Sequence, residues 1–270
     1  MKFRIGFLVA VAFCAVIFFA SNKVEADHQW GNYHWASTSN PDNLLLGNNL
    51  SSQWYPSFVQ SISDWNASTV IGVSETAGGT RPRQCRITAG RIEVCNDSYG
   101  NTGWLGIAGI SVSGTHITGA YVKLNDTYYN NPPYNTAPWR NFVMCQEIGH
   151  AFGLDHQDEA FNNTNFGTCM DYTNDPVGPP NNEHPDGHDY QQLELIYNHT
   201  DGGGGDPTPT PSPTPCRGRG CNGNGADIDF GDSREWGQVV ERDDSGRPIL
   251  YVRNLGNGKK HFTHVFPVPE

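Results

Sequence analysis

The chain has 270 residues, enough for one packed domain with appendages, and a formal charge of −11. Such an acidic balance is unsuited to holding nucleic acid or an anionic membrane through charge. A charged fraction of only 17% together with 31 glycines suits a soluble extracellular protein, but it does not indicate a substrate.

The chain opens with Met1-Lys2-Phe3-Arg4, runs apolar from Ile5 to Ala20 and reaches Val24-Glu25-Ala26. A charged start, an apolar stretch and small residues at a cleavage position read as a secretory signal cut after Ala26. The competing reading is a retained anchor, but the apolar run falls short of the ~20 residues a span needs. Cleavage removes three cationic side chains and one anionic one, which takes the formal charge from −11 to −13. Of seven cysteines, Cys14 leaves with the leader. Cys85, Cys95, Cys145, Cys169, Cys216 and Cys221 remain, an even set that in an exported chain points to disulfides. Proximity along the chain favours 85 with 95, 145 with 169 and 216 with 221. No Cys-x-x-Cys pair supports a zinc knuckle.

Trp30 to Ala36 alternates as a first strand does, and Asn40-Pro41-Asp42 marks a turn. Trp54, Phe58, Ile62 and Trp65 recur at helical spacing, with Ser51 or Ser52 as N-cap and Pro56 confined to the first turn. That aromatic stripe reads as the core face of a helix. Thr69 to Val73 reads as a strand. Arg83 to Cys95 reads as a hairpin turning at Ala89-Gly90. Trp104 to Ser113 and His116 to Asn125 are two further β-rich runs joined at Gly114, with His116 an ordinary histidine beside a turn.

Asn135-Thr136-Ala137-Pro138 is a helix start, and the periodic run Trp139, Phe142, Val143 leads into Cys145-Gln146-Glu147-Ile148-Gly149-His150-Ala151-Phe152-Gly153-Leu154-Asp155-His156. After it come a polar loop, Cys169-Met170-Asp171-Tyr172 and a last helix over about 189–197. Residues 201–225 form a Gly/Pro/Thr-rich extended linker. The segment 226–270 offers three short strands near 236–241, 249–253 and 260–266, with Asn257-Gly258 as a tight turn. So small a meander can hardly stand on its own core, and it either docks on the rest of the chain or binds another partner.

The central stretch carries the chemistry. Positions 146 and 150 lie four apart on a helix and project from one face, with Glu147 beside them, placed to take a proton from water. Gly153 can adopt a left-handed conformation, end the helix and bring His156 back toward the same point. Three protein donors with an open position describe a catalytic zinc site rather than a structural one.

Glu147, His150, Gly153 and His156 fall in register with the pattern H-E-x-x-H-x-x-G-x-x-H, and Met170 and Tyr172 follow. On these residues the chain resembles the metzincin clan of zinc endopeptidases, and the order of elements before them is most similar to the matrixin-type (M10) branch. The resemblance spans 27–200 as architecture and is sharp over 145–156 and 169–172. It implies an α+β fold, with a mixed sheet over an active-site helix and Met170 as the methionine of a Met-turn. It also implies one catalytic zinc, with His150 and His156 as ligands, Glu147 as general base and Tyr172 as a candidate fifth ligand or transition-state stabiliser. The implied partner is a protein or peptide substrate outside the cell.

The departure from the pattern is Gln146 at the first ligand position. Its amide oxygen is neutral and reaches nearly as far as an imidazole nitrogen, but it is a poorer zinc donor. Three readings remain open: Gln146 coordinates, His184 or His188 takes its place, or the fold persists without metal. A disulfide from Cys145 to Cys169 would tie the metal helix to the Met170 segment. No loop carries the spacing of a calcium motif. The leading function is a secreted zinc endopeptidase, and the alternative is an inactive binding or adhesion module of the same shape.

Overall fold

The computed structural model describes residues 28–201 and 230–269. The leader read over 1–26, the linker from 202 onward and the Cys216–Cys221 pairing lie outside the described residues.

The fold is α+β. In chain order the elements are β1 (His34–Trp35), β2 (Asp42–Asn49), α1 (Tyr55–Trp65), β3 (Ile71–Ala77), β4 (Ile92–Asp97), β5 (Trp104–Ser113) and β6 (His116–Asn125). They continue with α2 (Asp126–Tyr129), α3 (Ala137–Ala151), α4 (Gly187–Tyr197), β7 (Gln238–Arg242), β8 (Pro248–Gly256) and β9 (Lys259–Pro267). One sheet runs β3-β2-β4-β6-β5-β9-β8-β7, with β1 paired to the start of β6. The strands from β3 to β6 are parallel; β5 and everything beyond it are antiparallel.

Helix α1 forms as its stripe predicts. Pro56 sits in the first turn, and Trp54, Phe58 and Trp65 are fully buried, each contributing about 1.5–3 kcal/mol of apolar burial. Its N-cap is Trp54 rather than a serine; the Ser51 carbonyl accepts the Trp54 N–H and makes the turn that precedes the helix. Helix α3 packs against α1 and lies across β5 and β6. It is buried on all sides from Phe142 to Ala151, as a helix enclosed by its domain must be. Its last carbonyls are satisfied inside the core, where the Trp35 indole N–H donates to Ala151 O and the Tyr197 hydroxyl donates to Phe152 O.

Strand β2 has no counterpart in the sequence reading. Leu44-Leu45-Leu46 lacks alternation, and Gly47-Asn48-Asn49 reads as a turn, yet β3 and β4 pair with it from both sides. Burial between neighbours, not propensity, makes it a strand. The hairpin expected over 83–95 is also corrected. Only Ile92–Asp97 is a strand, and it pairs in parallel with β2 and β6, while Gly90 donates its N–H to Thr118 O. The first strand shrinks to His34–Trp35.

The three C-terminal strands extend the same sheet. Asn257 and Gly258 have φ of 53° and 73°, as a two-residue type I′ hairpin requires, and the hairpin lays β9 along β5 from Ser113↔Lys259 to Trp104↔Pro267. Alternation along β6 sends Ala120, Val122 and Leu124 into the main core under the helices and Tyr121 to the other face. There Tyr121 joins the Cys85–Cys95 disulfide, Trp104, Ile107, Trp236 and Val265 in a second apolar cluster.

Gly153 ends the metal-motif turn with φ of +100°, and a Cβ there would lie 2.4 Å from the Tyr33 carbonyl oxygen. Gly153→Ala should therefore destabilise the protein by about 2 kcal/mol or more, read as a lower midpoint in chemical denaturation.

Candidate metal centre

The site is built from the last turn of α3, the chain reversal after it and the middle of β9. Glu147 and His150 are three residues apart and share one face of α3. Strand β5 comes down directly onto Glu147 because Gly106 has no side chain; a Cβ there would sit 2.6 Å from Glu147 Oε1 and 2.7 Å from Val143 Cγ1. Both Glu147 carboxylate oxygens are buried without a hydrogen-bond partner. Burial pushes this carboxyl well above the usual carboxylate range.

His150 Nδ1 is 2.9 Å from Leu154 O, and since a carbonyl can only accept, Nδ1 carries the proton and Nε2 presents a lone pair. That Nε2 faces His156 Nε2 at 3.0 Å. His156 is brought back by Gly153, with its N–H on Asp155 Oδ1 and its Nδ1 3.3 Å from Glu159 Oε1. Burial raises the Glu159 carboxyl to about 7.

The third donor comes from the C-terminal strand. His264, opposite Ala108 of β5, lies between Trp30, at 3.6 Å between ring centroids, and His150, at 4.0 Å with only 4° between the planes. Neither ring nitrogen of His264 has a hydrogen-bond partner, although Asp155 Oδ1 approaches Nε2 to 4.0 Å. One nitrogen from each of His150, His156 and His264 lies within 4.8 Å of the other two. Burial holds all three imidazoles neutral, His156 down to about 3 with the nearby His28 adding to the effect.

This donor set fits a zinc ion. Nitrogens at 2.0–2.1 Å from a tetrahedral zinc are about 3.3 Å apart. His150 and His156, with their Nε2 atoms 3.0 Å apart, and a third imidazole without a partner form a cluster of buried nitrogens that a cation would satisfy. Both motif histidines also have the supporting contact such sites use, Leu154 O for His150 and Glu159 for His156.

The other predicted residues fall around this centre. Gln146 Nε2 donates to Cys169 O at 2.8 Å, and its Oε1 is buried without a partner. The amide thus ties α3 to the segment containing Met170, alongside the Cys145–Cys169 disulfide. Met170 is fully buried beneath the helix, its Sδ against Gly149. Tyr172 packs its ring 4.3 Å from that of His156, but its hydroxyl donates to Val265 O in β9. His184 is bound to Asp64 at 2.9 Å and His188 packs at a tilt against His28, so neither joins His150 and His156. Nothing local marks His264 as a ligand. The only signal available to sequence reasoning was indirect: two ligands in a zinc motif require a third, and the remaining histidines were the places to look.

No family model matches this chain, and no curated protein matches it. Among solved structures it is similar to that of myroilysin, with 13% identity over 60% of this chain and 82% of the other and a TM-score of 0.35. It is similar to the same degree to high choriolytic enzyme 1, a hatching-enzyme zinc protease of the medaka fish Oryzias latipes. That match has 14% identity, coverage of 63% and 96%, and a TM-score of 0.35. Likenesses this slight establish neither a family nor an activity for the chain.

Two substitutions separate the candidate third ligands. His264→Ala should lower zinc affinity by more than the ~100-fold that loss of a supporting contact costs, measured by competition with a chelating dye. Gln146→Ala should cost about 1–3 kcal/mol of stability, because Cys169 O loses its partner, and should leave zinc affinity nearly unchanged.

Proposed function

We propose that the chain is an exported zinc-dependent endopeptidase of metzincin type. In this reading His150, His156 and His264 hold the ion, and Glu147 is the general base. The observation that carries the reading is Glu147: a fully buried carboxylate with no hydrogen bond and no ion pair, one helical turn before His150. Burying such a group costs several kcal/mol, and a purely structural metal site has no use for it.

Zinc held by the three imidazoles would polarise a scissile carbonyl and lower the pKa of a water toward about 7. Glu147, beside His150 on the same helix, would take a proton from the attacking water and pass it to the leaving nitrogen. Burial raises its pKa, which makes it a stronger base than a solvated carboxylate. Gln146 and the Cys145–Cys169 bond hold the helix on the Met170 segment, so that the base and ligands keep their spacing. Tyr172 is committed to β9 as placed, and it can reach a substrate only when that contact opens. Export is supported by the N-terminal apolar run and by two disulfides in the described chain. Among the described residues no helix is long and apolar enough to cross a membrane.

One observation favours a second reading. The centre is largely closed: Glu147, His150 and His264 are at most 1% exposed, His156 is half-buried, and β9 covers the side on which Tyr172 and β5 lie. A metal-locked binding or adhesion module would have this form.

The mature chain, loaded with zinc, should cleave an unstructured protein substrate, and a chelator should stop it. Glu147→Ala should retain zinc while kcat falls about 10²–10⁴-fold. Zinc-loaded wild-type protein that leaves the substrate intact would select the binding module instead.

A further inference from the structure

Away from the Glu147 motif, where β1 pairs with the start of β6, three histidines and one aspartate converge. His34 lies on β1 and His116 on β6, and the parallel ladder sets them directly opposite each other. His199 and Asp201 follow the end of α4. The Nε2 atoms of His34, His116 and His199 lie 3.5, 3.3 and 3.4 Å from the same oxygen, Asp201 Oδ1. His34 Nε2 and His199 Nε2 are 3.3 Å apart.

We propose that these four side chains form a second metal site, closed and structural, which takes zinc. Four separations of 3.3–3.5 Å match four of the six ~3.3 Å edges of a zinc tetrahedron; His34, His116 and Asp201 lie within 4.8 Å of one another, and His199 joins them through His34 Nε2 and Asp201 Oδ1. Hydrogen bonding alone explains the cluster poorly. Three imidazole nitrogens gather on one carboxylate oxygen at separations beyond the 2.7–3.2 Å usual for N–H···O, and two of the nitrogens face each other. An ion at the centre of the four accepts every lone pair at once.

The surrounding contacts aim the donors. His34 Nδ1 is 2.9 Å from Asn32 O, so it carries the proton and leaves Nε2 as the free donor. Asp201 is pinned by its second oxygen, which accepts the Ser37 N–H at 2.7 Å, and by its own N–H on Ser37 O at 2.9 Å. Oδ1 is left for the cluster. The rings of His34 and His116, and of His34 and His199, meet nearly edge to face, at 82° and 75°. That arrangement brings ring-edge nitrogens, not faces, to a common point. The imidazole-rich set selects a borderline ion such as zinc over calcium or magnesium, which take oxygen ligands. With four protein ligands and no open position, the site has no place for a substrate.

The ion would join three segments: the two-residue strand β1, the start of β6, and the end of α4 from which the linker departs. A strand of two residues has little ladder of its own, and a metal clip supplies what it lacks. The inference does not depend on the Glu147 centre, because the two donor sets share no residue.

The test is zinc stoichiometry on the full mature chain after dialysis against a zinc buffer. Wild type should hold two equivalents, both with sub-micromolar dissociation constants. His116→Ala and, separately, Asp201→Asn should each hold one and melt at lower temperature than wild type. His264→Ala should lose the other equivalent and keep this one, and a His116→Ala/His264→Ala variant should hold none. Cobalt in the His264→Ala protein should give the visible bands of a tetrahedral site without thiolate. The proposal is overturned if wild type binds a single equivalent that His264→Ala removes. It is overturned equally if His116→Ala and Asp201→Asn both retain two, or if the second equivalent is lost at micromolar free zinc. The protease reading has a separate failure, zinc at the His264 centre without turnover.

Discussion

The constraint on which the structure turns is the burial of three imidazoles at one point, with a carboxyl on the helix beside them. Three imidazoles kept neutral by their surroundings gather at one point, and a buried carboxyl without a donor lies one helical turn from His150. A cation sharing the space would offset that desolvation. The surrounding elements hold those groups together. Gly106 lets β5 press on Glu147, Met170 packs under the helix, and Trp30 and His150 clamp His264 between them.

The most consequential element is β9. With Gln146 turned to Cys169 O, α3 presents only His150 to the centre, so the other two imidazoles must come from elsewhere. A chain reversal at Gly153 supplies His156, and strand pairing at β5 supplies His264. Register makes this placement unforgiving. A slip of one residue between β5 and β9 would turn His264 to the opposite face and put a neighbour in its place. The Asn257-Gly258 turn, with both φ positive, fixes the register of β9 on its other neighbour, β8. The C-terminal strands thus serve both as the outer edge of the sheet and as one wall of the metal centre.

The same device recurs on a smaller scale at the other cluster. There the β1–β6 ladder places two imidazoles side by side, and a backbone pair between Ser37 and Asp201 brings in the carboxylate. In both cases strand pairing, rather than a contiguous motif, completes the donor set. The chain uses paired strands to assemble side chains from segments far apart in sequence.

The sequence by itself determined what depends on neighbours within a turn or two of chain. The face of α1 follows from Trp54, Phe58 and Trp65 at helical spacing; β5, β6 and the Asn257-Gly258 turn follow from alternation and turn chemistry; the left-handed Gly153 follows from the motif around it. The approach of His156 to His150, with Glu147 on the same helix, was legible for the same reason, since one helix and one reversal hold all three. Strand β2 was not legible, because Leu44-Leu45-Leu46 becomes a strand only through burial between β3 and β4. The partner of the two motif histidines was not legible either. Gln146 occupies the local position, but its amide nitrogen is turned to Cys169 O, and the imidazole that meets the pair arrives from the far end of the chain. His116 read as an ordinary turn-flanking residue until pairing with β1 placed it beside His34 and Asp201. Local periodicity specifies which side chains share a face, whereas a metal site needs specific atoms a few ångströms apart. When those atoms belong to separate strands, only tertiary register decides whether they meet.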